Sequence, residues 1–345
     1  MDEPLVDFIN PELDLRSKIH LYRKSMDEIS QCLELKPYEW GRFQSRFNQE
    51  LNAVFHDLMD YEKRCLSQGQ EEKIYKMKNL FVRKVRKNFL RGECIVWSLD
   101  KPYGYAGDHK IIDDIYRNEP KTTGVDRLYD NYFQMSSISV AVRNRKDDFK
   151  RKLASFLKQK ARKPLRVMNL ASGPCRDLAE LFADPPADLS NVTFDCVDHD
   201  ERALNYASEM LKGARNVNFK KESAIRIALK RDVKMIFPET YDYIYCLGLF
   251  DYFDSRVSAR LVKNLKHLLK PGGVLAISNV YDKYSNPSIY FMEWVGDWNL
   301  VYRSQEDFEK VFLEAGFGPR DLTVAYEQQG NEEKDKIGNR LPVLN

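Results

Sequence analysis

No run of apolar residues in this 345-residue chain approaches the roughly 20 that a membrane-spanning helix needs. No transmembrane segment is therefore expected. The opening MDEPLVDFINPELD is acidic and lacks the basic-then-apolar order of a secretory signal. Six cysteines stand at positions 32, 65, 94, 175, 196 and 246, and none forms a C-x-x-C pair. Several fall inside expected helices or strands, so buried free thiols in a reducing, cytoplasmic setting are expected. Five isolated histidines offer no metal-ligand spacing, and no metal is expected. An excess of one charge sign is also missing. The net charge of +3 gives no global field toward nucleic acid, and no nucleic-acid partner is expected. There is no internal repeat. What the chain does have is 43% hydrophobic residues, enough for one large or two modest cores.

The most informative stretch runs from Leu165 to Asp200. Leu165–Leu170 is a short apolar, partly β-branched run, the pattern of a buried strand. The small residues Ala171, Ser172, Gly173 and Pro174 break it. Leu178, Leu181 and Phe182 then recur at helical spacing, so a helix is predicted from near Arg176. A second strand, Val192–Val197, leads into Asp198. A strand, a small-residue turn, a helix and a strand ending in an acid make one nucleotide-binding half of an open α/β sheet. The turn lets a ligand approach the backbone, and the Asp198 carboxylate can accept both hydroxyls of a ribose. The turn is not G-x-G-x-x-G, because its small positions are Ala171, Gly173 and Cys175. That argues against a pyrophosphate and suits a nucleoside with a cationic tail.

Upstream, the chain reads as helical to about residue 160. Leu15, Ile19, Tyr22, Met26, Ile29 and Leu33 form one apolar stripe, which Lys36-Pro37 ends. Trp40, Phe43, Phe47, Leu51, Phe55 and Leu58 form a second, and Ile74, Met77, Phe81, Val85 and Phe89 a third. The third carries Lys73, Lys76, Lys78, Arg83, Lys84, Arg86 and Lys87, read as a solvated face rather than a docking patch. Residues 101–117, KPYGYAGDHKIIDDIYR, read as a loop before a short helix. Asp108 is a candidate N-cap there, and Tyr105, Asp108 and His109 are candidate site residues. Of Arg143 and Arg145, which point to different faces, one is expected to meet a carboxylate in the cleft, and Arg143 is taken as the candidate.

Downstream, Gly272-Gly273 is read as a turn into a strand at Val274–Val280. Residues 281–303, YDKYSNPSIYFMEWVGDWNLVYR, are too long and aromatic for a plain connection. They read either as a substrate lid or as a seal for the N-terminal helices. Glu293 and Arg303, polar among aromatics, are candidates for substrate contact. Glu327–Arg340 is read as a polar loop before a short last strand.

These segments together resemble the class I methyltransferases that use S-adenosylmethionine. The first motif of that family, acid-x-small-x-Gly-x-small, is met by Asn169, Ala171, Gly173 and Cys175, and the strand-end acid by Asp198. Phe219–Ala224 is similar to the segment beside the adenine, Tyr241–Phe250 to the fourth strand, and Leu268–Leu275 to the turn into the fifth. GYAGD, an Ile-Tyr helix, AVRNR and then this domain also resemble a bacterial family described as making 3-hydroxy fatty acid (3-hydroxypalmitate) methyl esters, over about residues 80 to 320. The resemblance implies an α/β fold: a seven-stranded, mostly parallel Rossmann-like sheet with a helical N-terminal cap over the carboxyl ends of its strands. The cap is expected at 1–160 and the methyltransferase domain at 161–345, with a lid insertion at 281–303. It implies S-adenosylmethionine held by Asn169, Ala171, Gly173, Asp198, His199, Ser223, Ala224 and Leu247. It also implies transfer of methyl to a small or lipid-like acceptor, such as a carboxylate giving a methyl ester.

One residue departs from the family pattern. The first-motif acid is Asn169, an amide that accepts hydrogen bonds but holds no cation by charge. Two other readings therefore stay open. One is cyclisation of S-adenosylmethionine to azetidine-2-carboxylate with release of methylthioadenosine. The other is a cofactor-binding regulatory protein without turnover.

Overall fold

The structure is a computed structural model that describes residues 11–160, 163–284, 286–327 and 342–344. In chain order its helices begin with α1 (Pro11–Leu35), α2 (Gln44–Ser67), α3 (Glu71–Lys84), α4 (Glu93–Asp100), α5 (His109–Arg117), α6 (Gly124–Met135) and α7 (Ser137–Lys160). There follow β1 (Leu165–Leu170), α8 (Arg176–Ala183), β2 (Val192–Asp198), α9 (Glu201–Met210), β3 (Val217–Lys221), α10 (Ala224–Leu229), β4 (Tyr241–Cys246), α11 (Ser255–Leu268) and β5 (Leu269–Ser278). The chain continues through α12 (Ser288–Tyr290), α13 (Gln305–Glu314), β6 (Val324–Tyr326) and β7 (Pro342–Leu344). Except for Glu327, the polar loop expected before the last strand lies outside the described residues, as does most of the acidic N-terminus. No described helix is long and apolar enough to cross a membrane.

The chain divides into two compact units. One comprises Met1–Gly107, Asn118–Ser139 and Asn286–Asn299, and the other Asp108–Arg117, Val140–Ser285 and Leu300–Asn345. The division does not follow a boundary at residue 160. Most of α7 belongs with the sheet, because Phe149, Leu153 and Leu157 share a core with Val167 of β1 and Tyr243 of β4. Residues 281–303 are likewise split rather than acting as one insertion.

The first unit is helical. Most of the predicted stripe residues form its core, with Tyr22, Phe47, Leu51, Phe55, Phe81 and Phe89 all buried, whereas Trp40, Phe43 and Ile74 are half-buried and Trp40 and Phe43 precede α2. Residues 286–299 pack there through their rings. Phe291 lies 5.8 Å from Phe55 and 5.3 Å from Tyr132, and Trp294 lies 5.5 Å from Phe81 between ring centroids. A turn of π-helix at Phe291–Val295 carries these side chains, and the Tyr290 hydroxyl donates to Glu62 at 2.6 Å. The aromatics at 281–303 thus serve packing within the helices at Phe291 and Trp294. Trp294→Ala, which empties a site 2% exposed, is expected to destabilise the protein by about 3–5 kcal/mol. A thermal or urea midpoint unchanged from wild type would show that the indole is not a core group.

The second unit is built on one sheet, in the order β3-β2-β1-β4-β5-β7-β6. Strands β3 through β5 are parallel, and β7 and β6 add antiparallel at the edge. Alternate side chains of each inner strand face opposite ways, and both faces are covered. Val167 faces α7 and α8, whereas Met168 and Leu170 face α10 and α11. Strand β5 starts earlier than Val274. It pairs with β4 from Leu269, and its register shifts between Tyr241 and Tyr243, so the glycines lie within an irregular strand. Gly272 has a φ of +73°, and a Cβ on Gly273 would sit 3.0 Å from the Tyr241 carbonyl oxygen. Small residues are needed for that close passage.

Candidate functional site at the carboxyl ends of the strands

The order β2-β1-β4 places three loops side by side at one edge of the sheet, the position where open α/β sheets bind ligands. The turn after β1 is tightly wound. Ala171, Gly173 and Cys175 have φ of 52°, 52° and 53°, a left-handed conformation that small residues and glycine tolerate best. The Ser172 amide donates to the Val197 carbonyl oxygen at 3.1 Å, which ties the turn to β2. The Gly173 amide donates to Asp198 Oδ2 at 2.9 Å. Nothing lies within 4 Å of where a Gly173 Cβ would stand. The ribose-type acid and an open stretch of backbone are therefore adjacent, a cradle that fits a nucleoside.

Asp198 is organised from both sides. Its Oδ1 accepts the Asp200 amide at 3.0 Å and lies 3.2 Å from His199 Nδ1, and its backbone carbonyl accepts the Glu222 amide at 2.9 Å. Asp198 is buried while His199 is exposed beside it. The hydrogen bond to Asp198 raises the imidazole above its ordinary value of 6.5, against a smaller opposing effect of burial. Any stability from this pair is present below about pH 6.5 and is lost as pH rises through the raised value. Asp198→Asn is expected to lower the His199 imidazole from its raised value, which an NMR titration of the imidazole would read. A midpoint that stays raised in that variant would remove Asp198 as the cause.

Ser223 and Ala224 sit at the start of α10, next to the Asp198–Glu222 link. Leu247 follows β4, and its carbonyl oxygen accepts from Ser278 Oγ at 2.8 Å. Asn169, at the end of β1, is 3% exposed, and its Nδ2 faces Cys175 Sγ at 3.9 Å. All eight expected cofactor residues thus lie at or beside these loops.

The expected catalytic residues divide between the two units. Tyr105 and Glu293 belong to the helical unit. Asp108 belongs to the sheet unit and caps α5, with Oδ1 accepting the amides of Lys110 and Ile111 at 2.9 and 3.1 Å. Arg143 is half-buried, and its Nη1 donates to the Ile115 carbonyl oxygen at 3.3 Å. Burial lowers its guanidinium from the ordinary range. Arg303 is an internal strut. Its Nη1 donates to the Phe250 carbonyl oxygen at 2.8 Å and to Asn279, and its Nη2 to the Phe253 carbonyl oxygen and to Ser258 Oγ at 3.3 Å. These contacts pair both Nη groups and fasten the turn after β4 to the end of β5, while the buried Nε has no partner among the described residues.

Other groups emerge only in three dimensions. Asp113 on α5 receives Arg176 Nη2 at 2.8 Å and the Tyr206 hydroxyl at 2.7 Å, with Arg176 Nε at 2.5 Å on its other oxygen. This clamp holds α5 to the first turn of α8 and to α9. His109, on the same helix, lies 5.3 Å from the Tyr206 ring. Burial lowers its imidazole, and the charges of Asp108, Asp200 and Asp198 oppose that effect. On the far side, Arg145 lies under the loop after β4, with Nη1 3.4 Å from Asp251 Oδ2. The AVRNR segment was the only sequence signal for it.

Residues 168–275 match the family described as "Methyltransferase domain". The chain carries a methyltransferase domain. Its methyl donor is S-adenosylmethionine, and the match takes in the β1 turn, Asp198 and the loop after β4. No curated protein sequence matches the chain. A Bordetella parapertussis structure described as a possible exported protein is 17% identical, covers 77% of this chain and 94% of that chain, and has a TM-score of 0.54. It shares the methyltransferase domain's fold. Magnesium protoporphyrin IX methyltransferase from Synechocystis PCC 6803, solved with bound SAH, is 11% identical over 73% of this chain and 99% of that chain, at a TM-score of 0.44. A SAM-dependent methyltransferase from Leishmania major is 17% identical over 76% of this chain and 91% of that chain, at a TM-score of 0.40.

Proposed function

We propose that the protein transfers the methyl group of S-adenosylmethionine to a small or lipid-like acceptor, with a carboxylic acid as the favoured class. The observation that carries the reading is the coupling of Asp198 to the Gly173 amide beside an open stretch of backbone. Asp198 would take the ribose hydroxyls, and the turn from Ala171 to Gly173 would face the arm of the nucleoside. Ser223 and Ala224 would border the base. When bound, the donor supplies an electrophilic methyl on sulfur.

A carboxylate acceptor is already a nucleophile at pH 7 and requires no base. The protein then contributes proximity, alignment and exclusion of water. Arg143, half-buried on α7, is the candidate to orient that acid. A hydroxyl acceptor would need a base. His109 meets that need within the sheet unit, because burial favours its neutral form, which can take a proton at pH 7.

Asn169 supports a second reading. The position where the family pattern has an acid holds an amide directed at a thiol, so no carboxylate there stabilises a ligand ammonium. An amine freed of its proton attacks its own side-chain carbon, closes a four-membered ring and releases methylthioadenosine. The reactions are told apart by product. Pure protein is incubated with S-adenosylmethionine, alone and with a panel of fatty and small organic acids, and analysed by mass spectrometry against a no-protein control. The expected result is S-adenosylhomocysteine that depends on an acid. Enzyme-dependent methylthioadenosine from the donor alone would overturn methyl transfer in favour of cyclisation.

A further inference from the structure

The segment from α10 to the short 3-10 turn Val233–Met235 is firmly anchored on its inner side. Ala224, Ile227, Ala228, Val233 and Ile236 are buried and share a core with Leu261 and Leu265 of α11. Asn264 of α11 donates to the carbonyl oxygens of Ile227 and Lys230 at 2.7 and 2.9 Å, which closes the end of α10 and fixes the chain that follows. Three large apolar side chains on this segment nevertheless stay in solvent. Ile225 is 50% exposed, Leu229 59% and Met235 74%. Ile225 and Leu229 are four apart on α10, so they share its outer face. Exposed apolar residues scattered singly need no explanation, but three held out by one anchored segment do.

The charges beside them are mostly of one sign. Lys230, Arg231 and Lys234 are exposed, and none has a carboxylate partner among the described residues. The basic residues just upstream are paired, Lys221 with Glu201 at 2.9 Å and Arg226 with Glu222 at 3.1 Å. The one acid between Leu229 and Met235 is Asp232, whose carboxylate accepts the Lys234 amide at 3.0 Å and so caps its own turn. Charge selects the partner. A second copy of this chain would set Lys230, Arg231 and Lys234 against like charges around a two-fold axis. Nucleic acid and protein partners are commonly anchored on exposed rings, and Ile225–Met235 contains no aromatic residue. An anionic bilayer answers both features. Lys and Arg reach lipid phosphates at the headgroup level, while aliphatic side chains enter the acyl boundary.

We propose that Ile225–Met235 is a docking surface for an anionic lipid bilayer. Ile225, Leu229 and Met235 insert, and Lys230, Arg231 and Lys234 meet the headgroup phosphates. The contact is peripheral, since no described helix spans a membrane. It stands apart from the donor reading, because it uses none of the residues assigned to the nucleoside or the acceptor.

The test mixes the full chain with vesicles of phosphatidylcholine alone, or of phosphatidylcholine and phosphatidylglycerol in equal parts, and reads the bound fraction by sedimentation. Binding is expected on the mixed vesicles, weakening as salt rises, with little on the neutral ones. The triple variant Lys230→Gln, Arg231→Gln, Lys234→Gln should lose about 100-fold in partitioning, about five-fold per cation. The double variant Leu229→Gln, Met235→Gln should lose about 10-fold or more. Both should melt like wild type, since every altered side chain is exposed. On the wild type itself, mixed vesicles should protect Lys230 and Lys234 from acetylation, read by mass spectrometry. Absence of binding, equal binding to both vesicles, unprotected lysines, or wild-type binding in either variant would overturn the proposal. The last outcome includes adsorption through the basic residues of α3, which both variants keep. Failure on vesicles with self-association that the double variant abolishes gives the face to a second copy. Failure on vesicles with retention on immobilised polyglutamate that the triple variant abolishes gives it to an acidic chain. Either result overturns the bilayer as the occupant.

Discussion

Asp198→Ala is expected to weaken binding of S-adenosylmethionine by about 2 kcal/mol or more, roughly 30-fold, as measured by calorimetry. Two losses combine in this variant. The carboxylate that would accept the ribose hydroxyls is removed. The acceptor that holds the Gly173 amide at 2.9 Å and the Asp200 amide at 3.0 Å is removed with it. The turn is then free to leave its left-handed conformation, and binding has to restore it. Asp198→Asn, which keeps an acceptor oxygen, is expected to lose less. Wild-type affinity in Asp198→Ala, with circular dichroism and melting unchanged, would eliminate the strand-end acid as the nucleoside contact.

Arg303→Met is expected to destabilise the protein by about 3 kcal/mol or more, the scale of breaking a buried charged network. In a unit of this size that lowers the melting temperature by roughly 6–12 °C. The guanidinium is 3% exposed and satisfies the Phe250 and Phe253 carbonyl oxygens together with Asn279 and Ser258. Methionine fills much of the volume but removes the guanidinium donor from these groups, leaving the Phe250 carbonyl oxygen only the long bond from the Phe253 amide at 3.4 Å. The loop after β4 should loosen, so donor affinity falls along with stability. An Arg303→Met protein that melts like wild type but has lost acceptor recognition would reverse the assignment and return Arg303 to the substrate.

The sequence by itself determined what depends on short-range repetition. The short apolar runs at Leu165–Leu170 and Val192–Val197, the small residues between them, the helical spacing from Leu178 and the acid at Asp198 were enough for the strand, turn, helix and strand-end acid that the structure contains. The helical stripes from Leu15 to Phe89 were legible for the same reason, since burial of one face imposes a local period. Asp108 was legible as a cap because a cap acts two and three residues along the chain. Tertiary structure decided what depends on residues far apart in the chain. Arg143 and Arg145 differ by two positions, and only the fold buries the second under Gly248, across 106 residues from Asp251. Arg303 read as a substrate contact because its aromatic neighbours in sequence suggested a pocket, whereas its acceptors lie at 250, 253, 258 and 279. Residues 286–299 follow the sheet in sequence and pack with helices more than 150 positions earlier. A charge or a ring takes its role from whatever the fold places within a few ångströms of it. No periodicity along the chain records that neighbour, and so these roles became visible only in three dimensions.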